Sequence, residues 1–187
     1  MKRVSDDTEL VHRARSGDGE AFAELVRHYQ EPIFLLVRRT LGDDELAREL
    51  TQDVFVKVYE NLIRFDFRAA FSTWLYRIAC NMAVSAVRRR RQHFVPVNEQ
   101  LLARIPDEAV DTLFASGASD ARVAALNRAI GRLAPDERAL VTLFYFEEQP
   151  LSACAAILSM TENNAKVRLH RIRKKLYTLM NEYTDER

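Results

Sequence analysis

At 187 residues the chain has room for one or two small domains, and 48% apolar with 29% charged residues is a globular composition. Only 5 Gly and 5 Pro argue against a turn-rich all-β chain, and 2 Cys with no His at ligand spacing argue against a zinc site or a disulfide framework. The net charge of +1 conceals a segregation that matters more than the total.

Five Arg and no acid lie between Arg77 and His93, and six bases with one acid lie between Glu162 and Lys175. Between them, from Asn98 to Asp120, stand five acids and one Arg. Two basic blocks around an acidic one imply two polyanion contacts joined by a spacer that binds none. The N-terminus has no apolar stretch of signal-peptide length, and no run is long enough to span a bilayer, so the expected location is the cytoplasm.

In chain order, apolar residues at helical spacing begin at Thr8 and continue to about Leu41, through Leu10, Val11, Ala14, Phe22, Leu25, Val26, Ile33 and Val37. Ser16-Gly-Asp-Gly19 is expected to end one helix and cap the next, and Pro32 to kink it. Asp43 or Asp44 suits an N-cap. The following helix, Glu45 to about Ile63, buries Leu46, Leu50, Val54, Val58 and Leu62, and turns Glu49, Gln52, Asp53 and Lys57 the other way. Residues 65–72 read as a loop. A helix then runs from Ser72 or Thr73 into Arg88, Arg89, Arg90 and Arg91, burying Leu75, Ile78 and Met82. Trp74 suits that core, whereas Phe67 and Phe71 suit either the core or stacking on unpaired bases, with the arginines on phosphate.

Residues 93–119 are expected to be a flexible linker with at most one short helix. Roughly 27 residues of coil span about 30 Å on average and up to about 90 Å when stretched. Helices are then expected from Asp120 to Leu133, from Asp136 to Phe146, from Leu151 to Leu158, and from Glu162 to about Asn181 with Thr161 as N-cap. The last two, joined by a three-residue turn, form a helix-turn-helix, whose second helix enters the DNA major groove. Asn163, Asn164, Lys166, Val167, His170 and Arg171 would face base edges, and Arg168, Arg173, Lys174 and Lys175 the phosphates. The fold class is therefore all-α, with helical domains at residues 8–92 and 120–183.

Three stretches together resemble the extracytoplasmic-function subfamily of sigma-70 factors: Asp44 to Tyr59, Phe71 to Asn81 with its Arg tail, and Leu133 to Leu176. The resemblance implies a factor that binds core RNA polymerase and promoter DNA, has no enzymatic activity, cofactor or small-molecule substrate, is not a membrane protein, and is held by an anti-sigma protein. Glu49, Gln52, Asp53 and Lys57 would meet polymerase. Asn81 and Ser85, with the Phe67–Ser72 loop and Arg88 to Arg91, would recognise and open the −10 element around a flipped base. Asn163, Asn164, Lys166, Val167, Arg168, His170, Arg171 and Lys174 would read the −35 element. The chain departs from the family in having Asn163-Asn164-Ala165 where Gly-Thr-Val is common, Ser159 for the turn glycine, and no acid in Ser152 to Ala155.

The residues alone also admit a conventional DNA-binding regulator, which would bind duplex tightly without polymerase. A nucleic-acid enzyme finds less support, because no nucleophile–base pair, metal-ligand cluster or Gly-rich phosphate loop is present.

Overall fold

The computed structural model describes residues 3–90, 102, 104–115 and 120–185. Every regular element among them is helical: α1 Arg3–Arg15, α2 Gly19–Leu41, α3 Asp44–Asn61, a 3₁₀ turn Leu62–Arg64, α4 Phe71–Arg89, α5 Asp107–Ala115, α6 Asp120–Gly131, α7 Pro135–Val141, a π-helical turn Thr142–Phe146, α8 Leu151–Ile157 and α9 Glu162–Asp185.

The boundaries follow from local chemistry. Gly17, at φ 95, supplies the left-handed residue that ends α1. Asp18 then accepts the Ala21 N–H at 3.1 Å and starts α2. Gly42, at φ 71, returns its N–H to the Arg38 carbonyl and ends α2. Asp43 accepts the Leu46 N–H at 3.0 Å and starts α3. Helix α2 runs through Pro32 without a break, although the missing N–H removes one rung. Helix α4 begins at Phe71, one residue before the expected start.

Helices α1 to α4 form a first unit and α6 to α9 a second, and the buried side chains of both belong to one continuous apolar cluster. The packing of α7 on α2 and α4, and of α8 on α4, had no local signal in the sequence. Arg138 lies at this joint and is only 4% exposed. Its Nε donates to the Leu133 carbonyl at 2.9 Å, and its Nη1 donates to the Thr40 carbonyl in the last turn of α2 at 3.1 Å. A cation there meets the negative end of the α2 dipole, and it satisfies a carbonyl that the helix itself leaves unpaired. Burial lowers the Arg138 pKa, though far too little to discharge a guanidinium.

The expected helix 136–146 is α only to Val141, after which the Glu147 N–H reaches back five residues to the Thr142 carbonyl. This wider turn brings Glu147 against α4. Within residues 93–119 the helix α5 is present and packs against α9.

The turn between α8 and α9 is set by Ser159, at φ 55. The Met160 N–H bonds the Ala155 carbonyl at 2.9 Å and the Ser159 N–H approaches the Ala156 carbonyl at 3.4 Å, the two reverse bonds of a Schellman ending. Thr161 then accepts the Asn164 N–H at 3.2 Å and starts α9. Serine therefore holds a conformation in which its Cβ costs about 1 kcal/mol. Ser159→Gly is expected to stabilise the protein by up to about that amount, as read by urea denaturation. A lower midpoint would show that the Ser159 side chain contributes something the geometry does not reveal.

Candidate nucleic-acid and polymerase interfaces

Helix α3 buries Ala47, Leu50, Thr51, Val54, Phe55 and Val58, which leaves Glu49, Gln52, Asp53 and Lys57 exposed as a polar surface. Sequence reading missed the apolar residues on that side. Val56, Tyr59 and Ile63 are 58%, 59% and 64% exposed, and they continue from Gln52 at helical spacing. Tyr59 is steadied by an edge-on contact with Phe22 at 5.0 Å. Three large apolar side chains beside four polar ones make a surface suited to a protein partner.

The loop before α4 is built on an aromatic cluster. Phe65, Phe71 and Trp74 lie within 5.2 to 5.9 Å of one another, and Phe65 and Phe71 are buried. Phe71 thus packs in the cluster instead of standing out to stack on DNA. Phe67 differs: its backbone sits at φ 59, a costly conformation for a bulky residue. Its ring stacks on His12 at 4.3 Å, with the Arg15 guanidinium 5.3 Å from the ring centre. Phe67, Phe71 and Ser72 all line a cavity of about 390 Å³ between this loop and α1.

Along α4, Asn81, Ser85, Arg88 and Arg89 are exposed on one side, with Ala79, Cys80, Ala83 and Val87 buried on the other. Arg90 turns back to Asp43, with Nη1 to Oδ2 at 2.9 Å. The Leu46 N–H, and then Arg90, hold the Asp43 carboxyl below its usual range. Arg91 lies outside the described residues.

Helix α9 buries Ala165, Leu169, Ile172 and Leu176 and exposes Asn163, Asn164, Lys166, Val167, Arg168, His170 and Arg171. Much of its charge is met from within the chain. Arg168 pairs with Asp136 at 3.0 Å, and Lys175 with Glu137. Asp107, on the linker helix α5, receives Lys174 at 2.9 Å and lies 3.5 Å from His170 Nε2. The Lys174 hydrogen bond lowers the Asp107 pKa. The acidic spacer thus sets a carboxylate against the basic face of α9.

The two exposed faces meet. Asn81, Ser85 and Arg88 of α4 share a cleft of about 700 Å³ with Asn164 and Arg168 of α9 and the turn between α8 and α9. Beside it, Arg77 Nη2 donates to the Ala156 carbonyl at 2.6 Å, while the buried Arg77 Nε has no hydrogen-bond partner among the described residues. Tyr76 donates to Glu147 at 3.2 Å, and Arg39 lies 3.6 Å from the same carboxylate and 4.1 Å from the Phe146 ring centre. Burial pushes the Glu147 carboxyl and the Tyr76 hydroxyl upward, each favouring its neutral form. Among the described residues no group of three or more His, Cys, Asp or Glu could hold a metal, and no helix is long and apolar enough to cross a membrane.

Comparison with known proteins gives two family matches, Sigma-70 region 2 over residues 25–93 and Sigma-70, region 4 over residues 124–176. The chain is 29% identical over 180 residues to the ECF RNA polymerase sigma factor SigW of Bacillus subtilis, covering 89% of this chain and 92% of that protein. Its fold is shared with CnrH, solved in complex with the cytosolic domain of CnrY, at a TM-score of 0.70 and 22% identity over 95% of this chain and 98% of that one. It is shared also with the sigma factor RpoE of Bartonella quintana, solved with the anti-sigma factor NepR, at 0.62 and 19% over 86% and 96%.

Neutralising the linker contact tests the recognition face directly. Asp107→Asn is expected to raise the affinity of the isolated chain for promoter duplex about two- to fivefold at low salt, the range of an exposed ion pair. Unchanged affinity in a salt-controlled titration would mean that Asp107 does not compete with DNA.

Proposed function

We propose how the work is divided in this chain, which belongs to the sigma-70 family and, within it, to the extracytoplasmic-function group. Such a factor directs promoter-specific initiation by RNA polymerase, and the synthesis itself is the polymerase's. In our reading, residues 8–92 bind polymerase and open the −10 element, residues 120–183 read the −35 element, and residues 93–119 join them. The cytoplasm, where polymerase and DNA meet, is the location that this role requires.

The observation that carries this reading is the pair of basic helices, α4 and α9, whose apolar sides share a core while their polar sides stay exposed. On α9, Lys166 and Asn164 can read base edges, Val167 can meet a thymine methyl, and Arg168 and Lys174 can take phosphates. On α4, Arg88 and Arg89 can hold the backbone while Asn81, Ser85 and the Phe67 loop engage an unpaired base. On α3, Gln52 and Asp53 with Val56 and Tyr59 present the polymerase face. An anti-sigma protein that covers these surfaces belongs to the same proposal, supported by the complex in which the RpoE relative was solved.

The −10 and −35 elements lie about 25 base pairs apart, roughly 85 Å of duplex. Surfaces that share one cleft cannot engage both at once. The arrangement is therefore that of the factor away from its promoter, and the two units must part for use. A joint that leaves Arg77 Nε unsatisfied is suited to parting, because opening returns that atom to water.

Gln52→Ala with Asp53→Ala should lower promoter-directed transcription at least tenfold in a reconstituted assay and leave the fold intact, since both side chains are exposed. Full activity from the double variant would overturn the assignment of the α3 face.

A further inference from the structure

The loop between the 3₁₀ turn and α4 holds a backbone shape that its sequence does not favour. Phe67 sits at φ 59, where glycine is at ease and a bulky side chain is not. Such a residue stays there only when its surroundings over-determine it. Part of that restraint is local. The Asp66 carboxylate accepts the Arg68 N–H at 3.2 Å and meets the Arg68 side chain at 3.1 Å, but both side chains are exposed. The Phe67 ring also lies tilted on Phe65, at 4.8 Å.

The rest of the restraint comes from α1, which precedes the stretch that matches region 2. The His12 ring lies flat on Phe67, 4.3 Å between centres and 15° between planes. Arg15 stands three residues on and so shares the face of His12. Its guanidinium carbon is 5.3 Å from the Phe67 ring centre, and its Nη2 donates to the Ile63 carbonyl at 3.3 Å. One face of α1 therefore grips the loop at its root and at its middle. The other face is held by the core, where Leu10, Val11 and Ala14 are buried. The His12 side chain is exposed and adds nothing to that core. What it touches is the strained residue.

We propose that His12 is a positioning residue for promoter opening: supported by Arg15, it seats Phe67 as the anchor of the loop and so fixes where the exposed residues Arg68 to Ala70 stand. The proposal rests on the reading that this loop takes part in opening the −10 element. Phe67 acts here as an anchor, with one ring face already covered by His12. Without that stack the backbone at Phe67 relaxes to the negative φ that phenylalanine prefers. A rotation at this one residue displaces Arg68, Ala69 and Ala70, since Phe71 beyond them is tied into the buried cluster. The fraction of factor with a competent loop then falls, and the rate of opening falls in proportion.

The test uses holoenzyme assembled from the full chain and core polymerase. Its readouts are the rate of open-complex formation on a duplex promoter and the affinity of the factor for core polymerase. His12→Ala should slow opening about fivefold, the size of one aromatic stack, and leave the affinity for core polymerase unchanged. His12→Tyr restores a flat ring and should open within about twofold of wild type. Phe67→Ala should slow opening at least as much as His12→Ala. Adding His12→Ala to Phe67→Ala should then bring no further loss, because the side chain that His12 positions is gone. With Phe67→Ala slow, wild-type opening by His12→Ala, or an independent further loss in the double variant, overturns the role of His12 and leaves the loop reading standing. Weaker binding of His12→Ala to core polymerase overturns it too, since α1 would then be supporting the whole first unit. Wild-type opening by Phe67→Ala overturns the loop reading itself, and the role of His12 with it.

Discussion

The arrangement turns on one buried cation. Arg138 begins in the second unit and ends on the last turn of α2 in the first, where it takes up a carbonyl that no residue of α2 can reach. Taking a guanidinium out of water is costly, and the cost is offset only because carbonyl oxygens and the α2 dipole surround it. The bond is specific in direction as well as charge. It fixes where α7 can sit on α2, and with α7 fixed, α8 and the turn at Ser159 come to lie over α4. Arg77 and Glu147 then complete the joint from either side of the cleft.

What the joint encloses explains why it matters. The exposed sides of α4 and α9 are the surfaces that we propose a promoter occupies, and here they face a common space. Asp107 adds a second restraint by occupying Lys174 and approaching His170 on the recognition helix. Neither restraint is strong. The Asp107 contact is exposed and would weaken in salt, and the joint sets polar contacts beside its apolar cluster, with one buried nitrogen unpaired among the described residues. Binding energy from polymerase and from phosphates is of the size needed to replace such contacts. The protein can therefore stay compact when alone without being trapped there.

Much of this was legible in the sequence, and the reason lies in which interactions are local. Asp18, Asp43 and Thr161 cap helices through bonds to residues three positions on, so their chemistry is written in a few adjacent letters. The core faces of α2, α3 and α9 repeat at helical spacing and could be read in the same way. The joint could not, because Arg138 and Thr40 are 98 residues apart and nothing near either names the other. The π-helical turn at Thr142–Phe146 was read as an ordinary helix because its residues are good core formers in either geometry. Val56, Tyr59 and Ile63 were overlooked because a stripe of Leu and Val had already accounted for α3. Phe71 could be assigned to core or surface only once its neighbours Phe65 and Trp74 were in place.

The central claim is that the compact form held by Arg138 gives way when the factor engages a promoter. Spin labels on cysteines introduced at the exposed positions Gln30 in α2 and Ser152 in α8 report the separation of the two units by electron–electron resonance. The account predicts a single short distance in the isolated chain, and one longer by tens of ångströms in holoenzyme on promoter DNA, as an 85 Å spacing of the elements requires. The same short distance in both samples would contradict it.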